Sequence, residues 1–200
     1  MDDERPPLYD ERSALFRSQG TDSESIVMLG NSLIQGGEWN TLLNNEHAVN
    51  QGIIGDTAFG ILERLDAATD GKPAKIFLIC GANDVSHDLS ATEIAFRIMR
   101  VVNEIRKRTP ETRVYVMSVL PINNSFGRYK RMIGKEQTIR DLNVLLEPMA
   151  TAAGATWINI HPHFTDENGN LRENLTSDGL HLLPPGYEIW RNIILPYVSE

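Results

Sequence analysis

Cysteine is almost missing from this chain: Cys80 is the only one in 200 residues. That excludes an internal disulfide and any multi-cysteine metal site, and it leaves the redox compartment open. Basic residues are also scarce, 19 against 27 acidic, and the net charge of −8 repels polyanions. Nucleic acid and anionic membrane surfaces are therefore disfavoured as partners. No apolar run reaches the roughly 18 residues of a membrane span. The opening stretch MDDERPPLYDER lacks the basic start and apolar segment of a secretory leader. As it stands the chain reads as soluble and cytoplasmic, with the periplasm or secretion as the alternative if a leader has been removed. Internal repeats and low-complexity tracts are missing too, and oligomeric state has no readout in one sequence.

What is present is ordinary globular composition, 41% hydrophobic and 23% charged, enough apolar material to fold one domain unaided. We divide it into an N-terminal extension, residues 1–24, and a core, residues 25–200. Five short β-branched runs read as strands: 26–29, 48–53, 75–80, 113–119 and 156–160. Several are apolar at consecutive positions, as in strands covered on both faces. Between them, apolar spacing near 3.6 predicts helices over 58–68, 92–108 and 135–153, with a last one from 185 to about 198. Ser90 and Glu93 form a capping box before the second of these, Pro110 ends it, and Gly154 closes the third. The βαβα alternation predicts a three-layer α/β/α sandwich, flavodoxin-like, with a five-stranded, mainly parallel sheet. Two long irregular stretches, 121–134 and 161–183, have the length of functional loops.

In an open α/β sheet ligands bind beyond the carboxyl ends of the strands. The residues there are Gly30-Asn31-Ser32, Gly52 with Gly55-Asp56, Gly81-Ala82-Asn83-Asp84, the LPINNS segment and HPHF. Each alone has a bland reading. Ser32 could cap a helix, Gly55-Asp56 could be a loop glycine with its cap, and Asn83 could sit in a turn. Their conjunction at one sheet edge favours chemistry. In TSDGLHLLPPGYEIW, Asp178 and His181 stand three apart just before the last helix. A serine is a weak nucleophile until a base takes its proton, and a carboxylate fixes that base's tautomer and stabilises the imidazolium. Ser32, His181 and Asp178 are the three parts, and Gly179 lets the segment fold back on itself.

The blocks GNSL, NQGIIGD, GAND and SDGLH, in this order, resemble the SGNH hydrolase superfamily, also called GDSL esterases and lipases, over Gly30 to His181. The forms NxGIxGD and GxND are most similar to esterases related to platelet-activating-factor acetylhydrolase and to bacterial carbohydrate acetylesterases. The resemblance implies a serine esterase without cofactor or metal, with Ser32 as nucleophile and Asp178 and His181 completing the triad. The oxyanion donors it implies are the Ser32 and Gly55 N–H groups and the Asn83 amide. It points to short acyl groups, acetyl foremost, on carbohydrate or other small esters. A lysophospholipase or thioesterase, or a non-catalytic sugar- or phosphate-binding module, is the alternative. Similar secreted bacterial esterases keep the export alternative alive. One departure is Asn31, where the family carries aspartate; an asparagine oxygen can still accept backbone hydrogen bonds.

Other residues draw attention. Trp39, Phe59, His161 and His163 are candidates to line the substrate cleft. His161 and His163 form an H-x-H pair without further ligands, so a metal is not expected. Cys80 reads as a small buried hydrophobe, Asp84 as a brace for its loop, and TDENGN as a polar turn rather than a calcium loop. The α/β-hydrolase elbow G-x-S-x-G fails at Ile34, and no phosphate-binding glycine motif supports the binding module.

Overall fold

A computed structural model describes residues 5–200; the first four residues of the N-terminal extension lie outside them. Five strands, β1 (Ile26–Gly30), β2 (Ala48–Gly52), β3 (Lys75–Ile79), β4 (Arg113–Met117) and β5 (Thr156–Ile158), form one sheet. Its order is β2-β1-β3-β4-β5 and every pairing is parallel. Each strand begins at the residue the sequence predicts; β1 runs one residue further than expected and the other four stop one or two residues earlier. Gly30 stands opposite both Gly52 and Ile79 in the register. The carboxyl ends of β2, β1 and β3 are therefore flush, and the loops leaving them open onto one edge.

The helices are α1 (Tyr9–Gln19), α2 (Ser32–Gln35), α3 (Trp39–Leu43), α4 (Ala58–Glu63), α5 (Leu65–Thr69), α6 (Ala82–Ser86), α7 (Ala91–Arg108), α8 (Glu136–Ala152) and α9 (Pro184–Ser199). Alternate strand residues point to opposite faces, and the strands supply two cores accordingly. Val27, Leu29, Ile76, Leu78, Val114 and Val116 pack with α4, α5, α7 and α8. Ile26, Met28, Phe77, Ile79, Tyr115 and Met117 pack with α2, α3 and α9. This is the expected three-layer sandwich, and Cys80 is buried in the first core. The predicted capping box of α7 is formed: Glu93 N–H donates to Ser90 Oγ at 3.2 Å and Ser90 N–H to Glu93 Oε2 at 3.0 Å.

Two local expectations need correction. The single helix expected over 58–68 is broken at Arg64, whose φ of −107° and ψ of 16° leave the helical region. The side chain at the break is fully buried. Its cap is Thr57, whose Oγ1 accepts from Gly60 N–H at 3.2 Å; Asp56 instead turns inward to Arg64. The N-terminal extension, read without an element, contains α1. Tyr9, Ser13 and Phe16, at helical spacing, are its buried face, and Tyr9 and Phe16 cluster with Ile53 and Ala67. Two polar contacts fix it: Tyr9 Oη donates to the Gly60 carbonyl at 2.6 Å and Arg12 Nε to the Gly52 carbonyl at 2.9 Å.

Candidate active site

Ser32 opens α2 directly beyond β1. The helix is capped by its neighbour, since Asn31 Oδ1 accepts from Leu33 N–H at 3.1 Å. With the cap filled by asparagine, the serine hydroxyl is free for another partner: it lies 3.0 Å from His181 Nε2. His181 Nδ1 lies 2.7 Å from Asp178 Oδ2. A proton on Nδ1 satisfies the carboxylate and leaves Nε2 as an acceptor for the Ser32 hydroxyl.

Residues 176–181 fold so that a carboxylate reaches a histidine three positions on. Gly179 N–H donates to Thr176 Oγ1 at 2.9 Å, while Asp178 Oδ1 accepts from Leu180 N–H at 2.9 Å and His181 N–H at 2.8 Å. Gly179 has φ +85°, and a Cβ there would collide with the Asn123 carbonyl oxygen, so only glycine suits the turn. Burial alone would push the Asp178 carboxyl up. The hydrogen bonds from the His181 imidazole, the His181 and Leu180 N–H groups and Tyr129 outweigh it and hold the carboxyl well below its ordinary value.

Tyr129 was not among the residues expected at the site. Its hydroxyl donates to Asp178 Oδ2 at 3.0 Å, lies 3.1 Å from His181 Nδ1, and the two rings meet edge to face at 5.6 Å. Burial, followed by this bond to the carboxylate, raises its pKa. Only its place in the 121–134 stretch, already marked by length as a functional loop, could have pointed to it. Tyr129→Phe is expected to lower kcat for ester hydrolysis by roughly 10-fold, the scale of one hydrogen bond to a charged group. KM should change less, and the melting temperature should stay put because the residue is 36% exposed. Steady-state kinetics beside a thermal melt would check this; unchanged kcat would remove Tyr129 from the site.

Gly55 takes φ +83°, a conformation suited to glycine. Neither its N–H nor that of Ser32 has a hydrogen-bond partner among the described residues. Asn83, on the short helix α6 rather than in a turn, donates from Nδ2 to the Asp56 carbonyl at 2.7 Å. An amide nitrogen has two hydrogens, so one holds the side chain in place and the other is left for a ligand. Asp84 braces the loop as expected: it is fully buried and accepts from Ala58 N–H at 3.1 Å. Ser32, Gly55, Asn83 and His181 all line one cleft of about 590 Å³, with Ile54, Ala82, Ser86, Leu180 and residues 128–132 as its other walls.

Four expected cleft residues lie elsewhere. Trp39 is buried in the second core, its Nε1 donating to the Ile34 carbonyl at 2.8 Å and its ring edge-to-face with Trp190 at 5.2 Å. Phe59 is half-buried on α4 and is not part of the cleft wall. His161 is tied at Nδ1 to the Val119 carbonyl at 2.7 Å, and burial lowers its pKa. His163 is exposed, and neither histidine faces the cleft. Among the described residues no group of three or more His, Cys, Asp or Glu side chains could hold a metal ion. The TDENGN segment is a turn in which Asp166 Oδ1 accepts from the Asn168 and Asn170 N–H groups at 2.8 and 2.9 Å. No helix among the described residues is long and apolar enough to cross a membrane.

Known proteins share this architecture. The alpha1 subunit of platelet-activating factor acetylhydrolase IB from Rattus norvegicus is 29% identical over 182 residues, covering 86% of this chain and 74% of that protein. A GDSL-like lipase from Bacteroides thetaiotaomicron superposes with a TM-score of 0.82 at 23% identity, over 96% of this chain and 97% of its own. A lipase/acylhydrolase from Enterococcus faecalis gives 0.74 at 20% identity, over 88% and 95%. The last two likenesses concern the fold. Residues 28–189, which include every member of the Ser32 site, match the GDSL-like Lipase/Acylhydrolase family, and the chain belongs to that family.

Proposed function

We propose that this protein is a serine ester hydrolase that removes short acyl groups, acetyl above all, from small hydroxylated compounds such as carbohydrates. The observation that carries the reading is the continuous chain from Ser32 Oγ through His181 to Asp178, at 3.0 and 2.7 Å. A binding module would have no need of it. Ser32 Oγ attacks the ester carbonyl while His181 Nε2 takes its proton, and Asp178 stabilises the imidazolium that forms. The negative charge developing on the carbonyl oxygen meets the Ser32 and Gly55 N–H groups and the free hydrogen of the Asn83 amide. His181 then protonates the departing alcohol, and water repeats the cycle on the acyl-enzyme. The preference for acetyl draws on the relative named as an acetylhydrolase.

A series of p-nitrophenyl esters of increasing acyl length tests this. kcat/KM is expected to be highest for acetate or butyrate and to fall about 10-fold or more by octanoate, the acyl pocket discriminating by a few kcal/mol at most. A steady rise toward long chains would replace the short-acyl reading with a lysophospholipase or lipase. Failure to hydrolyse any ester, with no labelling by a fluorophosphonate, would remove the hydrolase reading itself.

A further inference from the structure

Residues 128–131 read Arg-Tyr-Lys-Arg, and all four belong to the wall of the cleft over Ser32. The wall therefore carries Arg128, Lys130 and Arg131 and no carboxylate, in a chain whose net charge is −8. A merely solvated surface of such a chain would be mixed or acidic.

None of the three cations forms an ion pair or side-chain hydrogen bond among the described residues, whereas the nearby Lys135 is taken by Asp88 at 2.6 Å. The acids around them are engaged: Asp178 by His181 and Tyr129, Asp88 by Lys135, with Arg131 adding to the field that lowers its pKa, and Glu136 by Asn124. Nor is the segment a loose arm. Asn123 N–H donates to the Gly179 carbonyl at 2.8 Å, Asn124 Nδ2 to the Met132 carbonyl at 3.0 Å, and Met132 is buried. With Tyr129 docked on Asp178, the backbone that bears the cations is held against the triad. Cations of one sign in a concave site focus their field into it.

Resting on the serine-esterase reading, we propose that the natural substrate is a small soluble ester with an anionic group, a carboxylate or a phosphate, on its alcohol portion. Arg128, Lys130 and Arg131 bind that group while the acyl carbonyl lies at Ser32. Binding to Ser32→Ala, measured by calorimetry, tests this without turnover. O-acetylglucuronate is compared with O-acetylglucose, and acetylated glycerol 3-phosphate with acetylated glycerol. At least one anion of the two pairs is expected to bind about 10-fold more tightly than its neutral match. The gain should shrink as salt rises from about 50 to 500 mM, and should be lost when Arg128→Gln, Lys130→Gln and Arg131→Gln are combined. Wild-type kcat/KM ratios for the same pairs should follow. A gain for the carboxylate alone points to an acidic sugar, and a gain for the phosphate alone to a phosphorylated alcohol; either supports the proposal. Equal binding within both pairs, or a gain that survives the triple substitution, overturns it. So does binding to phosphatidylserine vesicles without discrimination between the soluble esters, which would make the segment a membrane-docking surface. If the triple variant does not fold, the salt dependence of the Ser32→Ala protein decides. Failure of the esterase reading looks different: wild-type Ser32 would resist a fluorophosphonate whether or not the anion bound.

Discussion

Ser32→Ala is expected to lower kcat/KM for p-nitrophenyl acetate by about 10⁴- to 10⁶-fold, the scale of losing a triad nucleophile, and to leave the fold intact. The separation follows from the local geometry. Asn31, not Ser32, caps α2 through its bond to Leu33 N–H, so removing the hydroxyl costs the helix no cap. The one side-chain hydrogen bond lost is that to His181 Nε2 at 3.0 Å. The imidazole stays anchored by Asp178 at 2.7 Å and by the Tyr129 hydroxyl at 3.1 Å. The variant should therefore melt within a few degrees of the parent and lose fluorophosphonate labelling. Because the triad acts as a unit, adding His181→Ala should cost little more. A variant that keeps more than about a tenth of parental activity would place the nucleophile elsewhere.

The sheet was readable because its strands are covered on both faces. Runs such as KIFLI at 75–79 and RVYVM at 113–117 show as near-continuous apolar segments, and α7 and α8 as long periodic ones. The quartet Ser32, Gly55, Asn83 and His181 was legible because each residue directly follows a strand or precedes the last helix, where topology alone places it at one edge. Less was visible where a side chain's direction decides its role. Trp39 is near Ser32 in sequence, yet α3 turns it into the core beside Tyr187 and Trp190. Tyr129 lies in an irregular loop with no periodicity, and only the fold brings it to Asp178, 49 residues away. The helix α1 shows a thin apolar face, because it covers a small patch, Ile53 and Ala67, rather than the main core. Arg64 is hidden for a different reason: patterning assigns a charged residue to solvent, and here it is the largest charged side chain among those fully buried.

Arg64→Met is expected to destabilise the protein by about 3–5 kcal/mol, the cost of stranding one member of a buried ion pair. Its Nε meets Asp56 Oδ2 at 2.7 Å with both side chains inaccessible to solvent. Its Nη2 donates to the Gly30 and Gln51 carbonyls, each at 3.0 Å. Those carbonyls belong to β1 and β2 at the edge where Ser32 and Gly55 emerge, and the Asp56 carbonyl receives the Asn83 amide at 2.7 Å. One guanidinium thus ties together the backbone that presents the proposed nucleophile and the proposed oxyanion donors. Without it, Asp56 keeps Thr57 N–H at 3.0 Å but loses the one cation it pairs with among the described residues, and two strand-end carbonyls lose a donor. At about 2–4 °C per kcal/mol for a chain of this size, the melting temperature should drop by roughly 6–20 °C. Activity of the folded fraction should drop with it. Asp56→Asn combined with Arg64→Met should be less damaging than the sum of the two single changes, since the double variant buries no unpaired charge. The pH dependence has a definite sign. Burial, the largest influence on Asp56, raises its carboxyl pKa against the opposing pull of Arg64. In Arg64→Met that pull is gone and the folded carboxyl pKa rises further, so the part of the destabilisation due to the stranded charge is absent while the carboxyl is protonated, grows as pH rises past the parent's folded value, and is complete above the variant's higher one. Thermal melts of the variant should therefore approach those of the parent as the medium is acidified from neutrality. A gap that stays constant on acidification would show that the loss comes from the orphaned carbonyls, which do not titrate, rather than from the stranded charge.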